Sequence, residues 1–234
     1  MVSVIRTACY LMLFTMAIGL VGCAKGPLWK TGKLNPWAIK QLQEEEQIAE
    51  TIFSKRKRFR ETVNTAKRSS PQVQEEVAER LAEVALTDSV LLMRLEAVNL
   101  LSELNTPTSV KTLESASLDR APDVRLAAIR GLRTLANPSS AAVMAQLSER
   151  DSELDVRIAA TQALEAFQGT IVLQSLERSL TDRNPAIQTA AMDALPKVTG
   201  QELPRDVNQW LSFLKDSSGN PGSVSHAPSQ LNLK

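Results

Sequence analysis

Asp119-Arg-Ala-Pro-Asp-Val124-Arg125 is one of four related stretches in this 234-residue chain. The others are Asp88-Ser-Val-Leu-Leu-Met93-Arg94, Asp151-Ser-Glu-Leu-Asp-Val156-Arg157 and Asp182-Arg-Asn-Pro-Ala-Ile187-Gln188, with starts 31, 32 and 31 residues apart. Four residues after Met93, Val124, Val156 and Ile187 stands alanine in every copy: Ala97, Ala128, Ala160 and Ala191. Seven on come Leu100, Gly131, Ala163 and Ala194, and eight on Leu101, Leu132, Leu164 and Leu195. Eleven on come Leu104, Leu135, Phe167 and Val198. Apolar residues at i, i+4, i+7, i+8 and i+11 make one face of an α-helix. Its columns of alanine and glycine leave room for a neighbouring helix to come close.

A shorter helical stretch precedes each of these helices. Pro71 opens the first, which carries Val77, Leu81 and Val84. Thr106-Pro107 opens the second with Val110 and Leu113, and Asn137-Pro138 the third with Val143 and Leu147. Gly169 precedes the fourth, with Ile171, Leu173, Leu176 and Leu180. Each unit is therefore a helical hairpin with a face it cannot bury alone, and stacking the hairpins gives a continuous core. The fold class is all-α, a short α-solenoid of about four hairpin repeats over residues 71–198. Pro196 is expected to end or kink the last second helix.

The repeats resemble HEAT repeats, in particular the short variety seen in phycobilisome-lyase-type proteins, most tellingly in the Asp-x4-Val-Arg start of the second helix. The resemblance implies a right-handed solenoid whose second helices line the concave side. It also implies ladders between repeats, built here from Asp88, Asp119, Asp151 and Asp182 with Arg94, Arg125 and Arg157. Gln188 departs from that pattern, so the ladder is expected to weaken at the last unit.

Outward from the repeats, Asn35-Pro36 supplies an N-cap and a first-turn proline, and no breaker follows until Ser69-Ser70-Pro71. Ile48, Ile52, Phe59, Val63 and Ala66 share one stripe, which predicts a long amphipathic helix within 36–70. Lys55-Arg56-Lys57-Arg58-Phe59-Arg60 lies inside it. Two readings are open for this run: a grip on anionic lipid or an acidic partner, or an ordinary solvated face. At the other end, Val207, Trp210, Leu211 and Leu214 predict a capping helix within 199–215. The stretch 216–234, rich in Ser, Gly, Asn and Pro, is expected to be disordered.

The N-terminus reads as an export signal. Arg6 is the single charge before the apolar run Ala8 to Leu20, which is short for a membrane span. Leu20-Val21-Gly22-Cys23 resembles the bacterial lipobox, which implies cleavage after residue 22 and lipidation of Cys23. Residues 23–35 then form a lipidated tether, and the protein belongs to the bacterial cell envelope, facing the periplasm or the exterior. Trp29 and Trp37 sit near this anchor, either at lipid headgroups or against the domain. Cys9 leaves with the signal peptide, so the mature chain has no thiol for a disulfide or a metal.

Composition and motifs then narrow the function. Formal charge is +1, and it becomes 0 without residues 1–22, so nothing argues for nucleic acid. The iron-dependent hydroxylases of this fold carry paired His-Glu motifs; this chain has one histidine, His226, in the C-terminal tail. No Gly-rich phosphate loop and no nucleophile beside a histidine occur, so neither cofactor nor catalysis is expected. Two columns on the second helices are more apolar than exposure requires: Leu95, Leu126, Ile158, Thr189 and Val98, Ile129, Thr161, Met192. Either they form a groove for a peptide or helix, or neighbouring repeats cover them. On the groove reading, Arg125, Ile129, Arg130, Arg133, Arg157 and Thr161 are the candidate contacts for a protein partner. Two roles remain open, a membrane-held adaptor and a structural envelope component without a discrete ligand; a lyase or oxidoreductase relative ranks below both.

Overall fold

Four proline-started helices show how local chemistry sets the boundaries of the repeats. Pro71, Pro107, Pro122 and Pro185 each occupy a first helical position, where the missing N–H costs nothing. The Thr106 hydroxyl accepts from the Ser109 N–H at 3.1 Å, and Asn184 Oδ1 accepts from the Ala186 N–H at 2.9 Å. The computed structural model describes residues 36–219, with side chains from 51 to 216. All regular structure among them is helical.

The helices are α1 (Pro36–Ala66), α2 (Pro71–Thr87), α3 (Leu91–Leu101), α4 (Pro107–Ala116), α5 (Pro122–Leu135), α6 (Ala141–Arg150), α7 (Leu154–Ala163), α8 (Thr170–Leu180), α9 (Pro185–Thr199) and α10 (Val207–Gly219). Single 3-10 turns precede α6 at Pro138–Ser140 and extend α7 at Leu164–Ala166. The hairpins are α2–α3, α4–α5, α6–α7 and α8–α9, as the repeat predicts. Second helices pack on second helices throughout, while first helices pack on first helices in hairpins one–two and three–four.

The chain divides into two units, at Lys55 and Arg56. The described part of the first is residues 36–55 of α1, an unbroken helical stretch; the side chains of Trp37 and Ile48 lie outside the described residues. In the second unit, Val63 and Ala66 at the end of α1 join the core, with Phe59 packed against it.

The repeat columns are the core. Val124, Val156 and Ile187, the four alanines and the four leucines eight positions after the register residue are buried, as is Met93. Each fully buried leucine contributes about 1.5–3 kcal/mol relative to exposure. At Gly131 the small column is taken to its limit. A Cβ there would stand 3.0 Å from Leu113 Cδ1 and from Ser102 Cβ, so α5 comes closer to its neighbours than alanine permits.

One boundary falls close to the sequence expectation and one beyond it. α9 runs three residues past Pro196 and ends at Thr199. A proline in the last turn forfeits one backbone hydrogen bond, and Gly200, at φ 70°, supplies the left-handed cap that stops the helix. α10 continues to Gly219, past the expected boundary at 215. It seals the last hairpin with Trp210, fully buried, and Leu214. The Trp210 and Phe213 rings meet edge to face at 6.0 Å. The signal segment, Cys23, the tether and the tail from 220, with His226, lie outside the described residues.

Candidate functional site

Each second helix begins with the same device. The carboxylates of Asp88, Asp119, Asp151 and Asp182 accept from the backbone N–H two residues on, at 2.8, 2.8, 2.9 and 2.7 Å. This side-chain turn aims the chain into the helix. From inside the helix, Nη1 of Arg94, Arg125 and Arg157 donates back to the carbonyl of the same aspartate, at 3.1, 2.9 and 3.0 Å. Gln188 keeps that bond through Nε2 at 2.8 Å.

The remaining donors reach the next hairpin. Nε and Nη2 of Arg94 grip Asp119 at 2.8 and 3.0 Å, and those of Arg125 grip Asp151 at 2.8 Å each. Both pairs are largely buried. Burial pushes the Asp119 carboxyl up, but the Arg94 bond and the Ala121 N–H outweigh it and hold the group below its usual range. Buried pairs of this kind add little net stability, since desolvation offsets much of the attraction. The ladder weakens at the last unit, as expected, but not through Gln188: Arg157 forms no pair with Asp182. Its guanidinium keeps the carbonyl bond alone.

A second cluster was not legible in the sequence. Glu96 lies on α3 three residues after Met93, where the other copies carry Ala127, Ala159 and Ala190. It is 4% exposed. Arg56 donates to it from Nε and Nη2 at 3.0 and 2.8 Å, and Arg60 from Nη2 at 3.2 Å and from Nε. Burial raises the Glu96 carboxyl, and the two arginines more than reverse it, leaving it below the usual range. Two of the five cations of the basic run are thus a structural clamp. Lys57 and Arg58 point to solvent. A lone glutamate in an alanine column was the available signal.

The candidate partner residues do not form one surface. Ile129, 1% exposed, and Thr161, fully buried, belong to the interior, because the adjacent hairpin covers that column. Val98 is buried with them, and Met192 is half-buried. Arg125 is committed to the ladder. Arg133 is exposed and pairs with Glu165, which also accepts from Lys197 at 2.6 Å. Arg130 is exposed, and Arg157 half-buried. The other column stays accessible: Leu95, Leu126, Ile158 and Thr189 are half-buried, beside exposed Leu91, Leu92 and Leu154.

Two clefts lie between hairpins. One, of about 500 Å³, is lined by Glu75, Thr108, Lys111, Glu114 and Ser139 among others. Each of its carboxylates is engaged through one oxygen, while Glu75 Oε2 is buried without a hydrogen-bond partner. Thr108 donates to Glu75 at 2.7 Å, which together with Thr106 holds that carboxyl low against its burial. Ser139 and Ser140 donate to Glu114 at 3.1 and 2.7 Å. The other, of about 710 Å³, is lined by Arg157, Arg178, Thr181, Asp182, Arg183, Asn184 and Pro185. Among the described residues no group of three or more His, Cys, Asp or Glu gathers as metal ligands. No described helix is long and apolar enough to cross a membrane.

A family model described as HEAT repeats matches residues 78–165 and, overlapping, 115–196. No curated protein matches the chain. Among solved structures, the chain is similar to the complex of CpcE and CpcF of phycocyanin lyase from Nostoc sp. PCC7120. That match has a TM-score of 0.45 and 20% identity, over 66% of this chain and 92% of that one. A designed armadillo repeat protein in complex with the peptide (KR)4 matches with TM-score 0.38 and 13% identity, over 72% and 92% of the two chains. Computationally designed armadillo repeat proteins for modular peptide recognition match with TM-score 0.37 and 13% identity, over 69% and 88%.

Proposed function

This chain belongs to the HEAT-repeat family, and from that premise we propose that it is a non-catalytic scaffold that holds a protein partner at the bacterial cell envelope, anchored by lipid on Cys23. The carrying observation is the accessible apolar column on the second helices. Leu95, Leu126 and Ile158 repeat at the same register, with Leu92 and Leu154 beside them and the exposed Arg130 one turn on from Leu126. Repeated side chains at fixed spacing suit an elongated segment, such as a partner helix with apolar residues and an acidic group. The corrected surface is therefore this column with Arg130 and Arg133, and it excludes Ile129 and Thr161.

The anchor rests on the lipobox-like Leu20-Val21-Gly22-Cys23. In the Cys23→Ser variant the precursor is expected to stay uncleaved and to leave the detergent phase; normal maturation and partitioning would remove the anchor from the proposal. For the surface, a photocrosslinking amino acid at Leu126 or Leu95 in intact cells is expected to give one discrete adduct. The same probe at Leu118, exposed on the loop between α4 and α5, should give none. Equal adducts at all three sites would overturn the surface. An adduct of twice the chain's own mass would favour the structural, self-assembling role instead.

A further inference from the structure

The three ladder positions are an experiment the chain performs on itself. Arg94, Arg125 and Arg157 start from the same posture, each tied through Nη1 to the carbonyl of its own hairpin's aspartate. In the first two, Nε and Nη2 then take both oxygens of a carboxylate on the following hairpin. In the third, those two donors take no carboxylate, and Arg157 lines the 710 Å³ cleft between hairpins three and four. Arg178 and Arg183 line the same cleft. Arg178 is shared with Glu149 at 2.8 Å, and Arg183 is exposed. Against these three guanidiniums stands Asp182, one of whose oxygens is already occupied by the Asn184 N–H.

We propose that this cleft binds a paired-oxygen anion, a carboxylate or phosphate group, received by Nε and Nη2 of Arg157 as Asp151 and Asp119 are received one and two rungs earlier. The planar fork matches two oxygens at once, and the backbone bond at Nη1 has already removed most of the side chain's freedom. Arg183 and Arg178 supply the surrounding positive charge. The anion has two sources, a free small anion or an acidic side chain carried by a partner. Asp182 acts against it as a like charge.

The test follows the Arg157 Nε–H NMR signal of the soluble domain from residue 24 onward at constant ionic strength. One arm titrates inorganic phosphate, the other a short Glu-rich peptide. Saturable shifts with phosphate alone identify a free-anion site, and saturation by peptide at far lower concentration identifies an acidic partner residue; either supports the site. Arg157→Gln, read through the Arg183 Nε–H signal, is expected to weaken binding roughly tenfold or more, about the worth of one charged hydrogen-bonded pair. Arg80→Gln, an exposed charge on α2, should leave it unchanged. Asp182→Asn should tighten binding without lowering the melting temperature. No saturation in either arm, or an equal loss in Arg80→Gln, would overturn the proposal. A melting-temperature drop in Asp182→Asn matching that of Asp151→Asn would do so too, because it would mean that Asp182 itself closes the third rung.

Discussion

The two ends of the repeat array are closed by opposite chemistry. At the C-terminal end, α10 presses Trp210 and Leu214 onto the last hairpin, an apolar lid. At the N-terminal end, the second half of α1 takes the place of a second helix from a missing hairpin. Phe59, Val63 and Ala66 repeat the spacing of Met93, Ala97 and Leu100, and Arg60 stands where Arg94 would. Arg60 nevertheless makes no rung with Asp88 of the following hairpin; with Arg56 it grips Glu96 on α3 instead. A stack of hairpins needs both ends covered, and it accepts either an apolar lid or a buried charge with its partners. The two solutions differ in what weakens them.

The largest expected effect is at the apolar end. Trp210→Ala empties a fully buried site and should cost about 3–5 kcal/mol in denaturant unfolding, with no dependence on salt. Trp210→Phe should cost far less, because the buried indole N–H finds no hydrogen-bond partner in place. Equal losses in the two variants would mean that the indole polarity matters to the cap.

Acid should separate the ends next. Glu96, Asp119 and Glu75 are all held below the ordinary carboxylate range in the folded protein. A carboxyl with a depressed folded pKa lends stability above its unfolded value and loses it as pH falls through the folded one. Melting temperature is therefore expected to hold down to about pH 5 and to fall below about pH 4. Stability unchanged down to pH 2 would contradict the clamp and the ladder together.

The smallest effect is the most discriminating. Glu96→Ala restores the alanine column and leaves Arg56 and Arg60 partly solvated. It should fall within about 1 kcal/mol of wild type at pH 7 while flattening the acid limb. High salt should narrow the gap further, since the clamp's arginines reach solvent and Trp210 does not. A large loss at neutral pH would show the clamp to be a principal source of stability at that end.

Much of this was written locally. The hairpins, their starts at proline and asparagine, and the buried alanine and leucine columns follow from periodicity and capping, which a single helix expresses without its neighbours. The aspartate turns and the arginines behind them are equally local, six residues apart within one hairpin. Whether Ile129 or Leu126 meets water was not written there, although both lie off the predicted core stripe. Ile129 is covered where the second helices of adjacent hairpins pack together, and Leu126, three residues earlier, is left half-buried. Nor could spacing tell that Arg125 closes on Asp151 while Arg157 does not reach Asp182, since that depends on the offset between successive hairpins. The sequence determined the hairpins because backbone hydrogen bonding and side-chain period are set within one helix. Only the tertiary structure decided coverage and pairing, because both turn on the ångström-scale placement of one hairpin against the next.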